Sequence, residues 1–430
     1  MNKKNISSSN SKIDLMSVLK YLLKWFSISS LVGVLVGSTS AFFLVTLDWA
    51  TNTRENNLWI IALLPIGGLI IGLLYHFYGS DVVKGNNLIL EEYQNSTKII
   101  PLKMAPLVFL GTIITHFFGG SAGREGTSVQ MGGSIADQFT SLFKLNQTDR
   151  KIILVIGISA GFAAVFGTPL AATIFALEVL VIGKMSYEAF LPSFLTAVIA
   201  HFTCLACSVG HTEYSIPYHA IPELSLSTIC WTILVGILFG LTALLFAKST
   251  QFWSKLFNSL VKYAPFRPMI GGIVVALAVY LLGTSKYIGL GIPTIVDAFH
   301  IDLSKSDFFF KILFTSFTLG AGFKGGEVTP LFFIGATLGN ALVWFVPIPV
   351  SLLAGMGFVA VFSGATNTPI ACTIMGMELF GYESGIYLGI SCLVAYFFSG
   401  KLGIYSSQII SSPKKFIYDR FKSMKLNKKQ

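Results

Sequence analysis

The sequence predicts an all-α polytopic membrane protein, built from two similar halves of short, tilted and discontinuous helices. Three observations carry this. Hydrophobic residues make up 53% of the 430 and charged residues only 12%, about half the charged share of a soluble domain. The 41 glycines against 15 prolines point to close helix packing and interrupted helices rather than disorder. Finally, a motif-bearing stretch recurs about 200 residues further on, the offset being 368 − 168 = 200. Mean hydropathy is +0.72, which excludes an ordinary soluble enzyme or binding module.

The elements follow in order. Residues 1–14 form a polar tail. A long helix over Leu15–Trp49 is ample for a tilted crossing, and its apolar run is too long for a signal peptide. Thr51–Asn57 reads as a polar loop and Leu58–Tyr78 as a second crossing. Gly79–Lys103 is much less apolar. Ala105–Phe118 is short and ends at the glycine run Gly119–Gly120. Asp149–Phe166, Pro169–Ile182 and Leu191–Cys207 complete a first repeat over residues 15–207. The loop 208–224, with His211 and His219, separates it from a second repeat over 225–412. The segments there are Leu226–Ala247, Met269–Leu282, Phe308–Gly320, Pro330–Phe345, Val350–Phe362, Pro369–Phe380 and Ile386–Phe398. An amphipathic stretch, Gly400–Lys425, runs into a basic tail over 413–430. The excess of Lys and Arg at both ends places both termini in the cytoplasm. A basic tail of this length is expected beside membrane segments, so it is no sign of nucleic-acid binding.

The internal repeat is specific. Thr168–Glu178 and Thr368–Glu378 share Thr-Pro at the start, Ala171/Ala371, Thr173/Thr373, Ile174/Ile374 and the closing acid. Gly161–Phe166 matches Gly357–Phe362. Gly123-Arg124-Glu125-Gly126-Thr127 matches Gly325-Gly326-Glu327-Val328-Thr329. Repeats of this kind in transporters bring their helix breaks together at one site. The repeat alone does not say whether the halves are parallel or inverted.

Glu125 is the residue around which the rest is arranged. A carboxylate at membrane depth is costly and is kept where it meets a partner or a water-filled path. Glycines on both sides let one helix stop and another start, and the amides of the new first turn favour an anion. A glutamate tethered there competes with a bound ion and can carry a proton once neutralised. The blander alternative is an ion pair with Arg124.

These residues resemble the CLC family of anion channels and proton-coupled anion antiporters, over about Leu15 to Gln408. Gly123-Arg124-Glu125-Gly126 resembles the family's gating-glutamate motif, with Thr127 where proline is usual. Gly325-Gly326-Glu327-Val328-Thr329-Pro330 resembles its second anion-binding helix start. Tyr405 falls where the family places a tyrosine that reaches the anion. Two departures point to one branch. Asn86, in Gly85-Asn86-Asn87, stands where chloride-handling members offer serine. Val179 follows Glu178 where chloride antiporters carry a second, inner glutamate. Both resemble the fluoride/proton antiporters known as CLC-F. The resemblance implies a CLC-type inverted repeat, a homodimer with one path per subunit in a bacterial inner membrane, and fluoride export driven by proton entry. Glu125 would be the gate and proton carrier. Asn86, Gly126, Val328, Thr329 and Tyr405 would bind the anion, with Glu327 and Thr127 along the path. Amide, hydroxyl and helix-start donors suit a small, strongly hydrated anion. A chloride channel or chloride/proton antiporter of the same family is the alternative, and a membrane-embedded enzyme a remote one.

Other features carry no chemistry of their own. Glu178 and Glu378 read as polar helix-end residues, and Asn367-Thr368 as a helix cap. The five cysteines read as buried free thiols despite the spacing of Cys204 and Cys207. The histidines form no ligand pattern, and no metal or cofactor is expected.

Overall fold

A computed structural model describes residues 15–401, 403–410 and 414. Among these are sixteen α-helices and a single two-residue parallel strand pair, Val181–Ile182 with Ile409–Ile410. The predicted polar tail over 1–14 and all of the basic tail but Lys414 lie outside the described residues.

The first half contains α1 (Leu15–Asn56), α2 (Leu64–Tyr78), α3 (Asn86–Gln94), α4 (Met104–Phe118), α5 (Glu125–Leu142), α6 (Gln147–Phe166), α7 (Pro169–Glu178) and α8 (Phe190–Ala206). The second contains α9 (Leu226–Leu260), α10 (Phe266–Leu282), α11 (Ile292–Asp297), α12 (Asp307–Gly320), α13 (Val328–Leu342), α14 (Val350–Thr366), α15 (Pro369–Phe380) and α16 (Gly385–Phe398). Four helical stretches are long and apolar enough to cross a membrane: α1, Leu58–Tyr78, Tyr187–Ala206 and α9. The others are short, as the glycine punctuation predicts.

Several boundaries differ from the sequence reading. The expected loop at Thr51–Asn57 is the last turn and a half of α1. Arg54 is buried there and donates from Nη1 to the His116 carbonyl at 2.9 Å, so this polar turn packs on the end of α4. Leu58–Tyr78 is split, with 3-10 geometry over Leu58–Leu63 before α2 starts at the Pro65 turn. The helix expected to run from Pro169 to Ile182 stops at Glu178, and its last two residues pair with the C-terminal segment. Of the five cysteines, Cys204, Cys372 and Cys392 are buried free thiols, whereas Cys207 and Cys230 are exposed. Among the described residues no group of metal-ligating side chains is found.

Close crossings set where α5 and α13 lie. A Cβ on Gly132 would stand 2.3 Å from the Gly157 carbonyl oxygen, and one on Gly335 would stand 2.0 Å from that of Gly357. Backbone approaches this tight exist only because no side chain intervenes. At one end of the first half, Arg150 joins Asp137 (2.7 Å) and Glu92 (3.1 Å), tying α3, α5 and α6 together.

Glu178 and Glu378 join the two halves reciprocally. Glu178 accepts from the amides of Ile370 (3.2 Å) and Ala371 (2.8 Å) at the start of α15. Glu378 accepts from Leu170 (3.1 Å) and Ala171 (2.7 Å) at the start of α7. Each acid closes the other half's helix start, where orphan amides and the helix dipole favour a negative charge. Glu178→Ala is expected to cost about 2–3 kcal/mol, since it leaves the buried Ala371 amide and the partly buried Ile370 amide without their charged acceptor. Thermal unfolding of the detergent-solubilised protein measures this, and an unchanged Tm would count against it.

Candidate anion pathway

The two sequence breaks meet face to face. The Gly123 amide donates to the Gly326 carbonyl at 2.6 Å, and the Gly326 amide to the Gly123 carbonyl at 2.8 Å, in an antiparallel bridge. Gly325 holds φ +151°, and a Cβ on Gly326 would stand 2.8 Å from the Gly126 nitrogen. Side chains here would push the breaks apart. Helices α5 and α13 begin just after the bridge, so two helix N-termini converge on one buried spot, as an anion requires. The approach to the first break is braced from behind. Ser121 donates to the Tyr287 carbonyl (2.8 Å), and Lys311 donates to those of Gly289 (2.8 Å) and Tyr287 (3.2 Å).

The Glu125 carboxylate lies in this spot, 1% exposed. Its Oε2 accepts from the Thr329 amide at 3.1 Å and the Thr329 hydroxyl at 2.7 Å, and Oε1 lies 2.9 Å from the same hydroxyl. A first-half acid is thus seated on the second half's helix start. Arg124 is a looser neighbour, with Nε 3.8 Å from Oε1. The Arg124 backbone amide also donates to Oε2, at 3.3 Å, but the shorter bonds to the buried charge come from Thr329 of the opposite half and not from the guanidinium.

The other predicted residues divide. Val328 and Thr329 form the first turn of α13. Asn86 is buried at the start of α3, and a Cβ on Gly126 would lie 3.1 Å from its Nδ2. Asn86, Glu327 and Tyr405 line one cavity of about 190 Å³ beside the end of α2. Thr127 is turned elsewhere, its hydroxyl 2.7 Å from that of Thr112 on α4. It therefore joins α5 to α4 instead of lining this cavity. Val179 is buried, and its carbonyl accepts from Gln408 at 2.8 Å. The preceding acid, Glu178, is engaged at α15.

The lining residues that sequence reading missed include Tyr75, Gln130 and Lys324. Gln130 and Lys324 carried a signal, each being a polar side chain in an apolar stretch beside a break. Tyr75 carried none, because it comes from a helix remote in sequence. Phe332 on α13 stacks on Phe358 of α14 with centroids 4.0 Å apart, backing the helix that holds Thr329.

A polytopic helical protein whose two interrupted halves seat a carboxylate between opposed helix starts is, by class, an ion-transport protein. The comparisons agree. A family model described as voltage gated chloride channel matches residues 67–400. The chain is 49% identical over 405 residues to a chloride/fluoride channel protein of Pseudomonas syringae pv. tomato, covering 93% of this chain and 89% of that one. An H(+)/Cl(-) exchange transporter of Vibrio vulnificus is 26% identical over 383 residues, covering 82% and 81%. Among solved structures, a CLC-type fluoride/proton antiporter superposes with a TM-score of 0.88 at 36% identity, over 91% of this chain and 98% of that one. The chain belongs to the voltage gated chloride channel, or CLC, family, whose members are membrane channels and transporters rather than enzymes.

Proposed function

We propose that the protein exchanges fluoride for protons and exports fluoride, acting as a homodimer in a bacterial plasma membrane with both termini in the cytoplasm. The observation that carries this reading is the Glu125 carboxylate on the Thr329 amide and hydroxyl. These donors suit a small anion, and a carboxylate and a halide cannot hold them at once. Ionised Glu125 occupies the seat. Protonated Glu125 leaves it, freeing Thr329, Val328, Gly126 and Asn86 for the anion, with Tyr405 and Glu327 on the way to it. A valine at 179 removes the usual inner acid, so the proton travels on Glu125 itself. The relative from Pseudomonas, named for chloride and fluoride, and the antiporter structure at 36% identity support fluoride as the cargo.

Purified protein in liposomes loaded with fluoride or chloride, with external pH recorded, tests this. Fluoride efflux far above chloride efflux, coupled to proton uptake, is expected. Comparable chloride efflux without proton movement would make the protein a chloride channel, and chloride efflux with proton movement a chloride/proton antiporter.

Thr329→Val keeps the side chain's shape and removes its hydroxyl. Made in a Glu125→Gln background, where no carboxylate competes for the seat, it would cost the anion alone a charge-assisted bond of about 1.5–3 kcal/mol, so fluoride affinity should fall roughly tenfold or more. Titration calorimetry with fluoride checks this. Unchanged affinity would exclude the hydroxyl from the site.

A further inference from the structure

Lys324 stands in the same cavity, one residue before the second break, and nothing above gives it a task. Its placement is built rather than incidental. The side-chain stem crosses α4 at Gly111, where a Cβ would lie 2.9 Å from the Lys324 Cβ and 3.5 Å from the Tyr75 ring. The ammonium rests over the face of Tyr75, 4.1 Å from the ring centroid. Among the described residues it has no carboxylate within ion-pairing distance. Glu327 shares the cavity but is not bonded to it. A lysine at this depth is expensive to keep. An aromatic face offsets only part of the lost hydration, and leaves the ammonium free to exchange its partner.

A second cavity adjoins this one. Thr250, Ser254, Ile404 and Tyr405 line both, and the walls of the second, of about 450 Å³, carry Lys255 and Lys401. The end of α9, beyond the Ala247 limit expected from sequence, thus supplies the Thr250 and Ser254 hydroxyls to the Lys324 cavity and Lys255 to the adjoining one. Lys324 in the first cavity and Lys255 on the wall of the second put positive charge on the way to Asn86, which favours an anion there.

We infer that Lys324 is the anion-capture residue of its cavity. Its ammonium leaves Tyr75 to meet an incoming halide and brings it to Asn86 and the α13 helix start. The inference rests on the transport reading above. It adds that affinity from this side is set by a lysine outside the Glu125–Thr329 seat.

The test compares Lys324→Met and Lys324→Arg with the unaltered full-length protein, by fluoride titration calorimetry and by efflux from liposomes over a range of internal fluoride. Lys324→Met should raise both Kd and KM about tenfold, the scale of one lost charge contact, while the saturated rate stays within about twofold. Lys324→Arg should restore most of the affinity. A merely structural role would lower the rate or the yield without this split, and unchanged Kd and KM would overturn the inference. Should Lys324→Met fail to fold, Tyr75→Leu releases the ammonium without removing it. A several-fold shift in KM is then expected, and an unchanged KM overturns the inference. If the unaltered protein carries chloride instead of fluoride, the transport reading fails by itself. The same comparison with chloride then decides on Lys324.

Discussion

Glu125→Gln is expected to abolish proton-coupled fluoride movement, lowering it by at least about a hundredfold, the usual scale of a lost proton-transfer group. Glutamine matches the shape of protonated glutamate but cannot release or accept the proton. Its carbonyl oxygen can still accept from the Thr329 amide and hydroxyl, which lie 3.1 Å and 2.7 Å from Oε2, but a neutral side chain lacks the charge that holds the carboxylate there against a competing anion. The side chain should leave the helix starts and let anions pass without protons. Paired recordings of fluoride efflux and external pH separate the two effects. The antiport reading does not survive if this variant still moves protons with fluoride. If Glu125 were only a structural partner of Arg124, the variant would instead lose stability and keep its coupling.

Gly335→Val should be the most damaging change away from any charged group. A Cβ at this position would stand 2.0 Å from the Gly357 carbonyl oxygen, which is backbone and cannot rotate aside. Overpacking of a well-packed core costs about 1–3 kcal/mol, and here three heavy atoms enter a gap too small for one. Helix α13 must shift away from α14 or fail to pack, and either outcome moves the first turn that holds Glu125. Little folded protein and little flux are expected. Gly210→Ala is the control: no atom lies within 4 Å of a Cβ there, and it should match the unaltered protein in both yield and flux. A Gly335→Val protein with normal Tm and transport would mean that this crossing is looser than drawn.

Legibility from sequence tracked how local each feature is. The breaks were visible because glycine runs and a charged pair stand out against lipid-compatible segments. The helix starts at Pro169 and Pro369 were placed because Thr-Pro marks a helix start by itself. Ends governed by distant partners were misjudged. The α1 terminus continues through Arg54 because the His116 carbonyl, 62 residues away, receives it. Helix α7 stops at Glu178 because that acid caps α15. Thr127 looked like a path residue from its place beside Glu125, yet its hydroxyl meets Thr112. Lys324 drew no attention, since spacing does not tell whether a lysine faces lipid headgroups, a partner or a cavity.

By itself, then, the sequence determined the membrane class, the two-fold repeat, the position of both helix breaks and the acid between them. These depend on hydrophobicity, backbone freedom and charge, which are properties of residues and their immediate neighbours. Only the tertiary structure decided what Glu125 touches, because Thr329 lies 204 residues further along the chain. It likewise decided that Glu178 and Glu378 each close the other half's helix, and that Lys324, Tyr75 and the end of α9 share one chamber. Such contacts arise when two halves dock, and orphan amides, buried charges and empty space then select their partners from whatever the packing brings within reach.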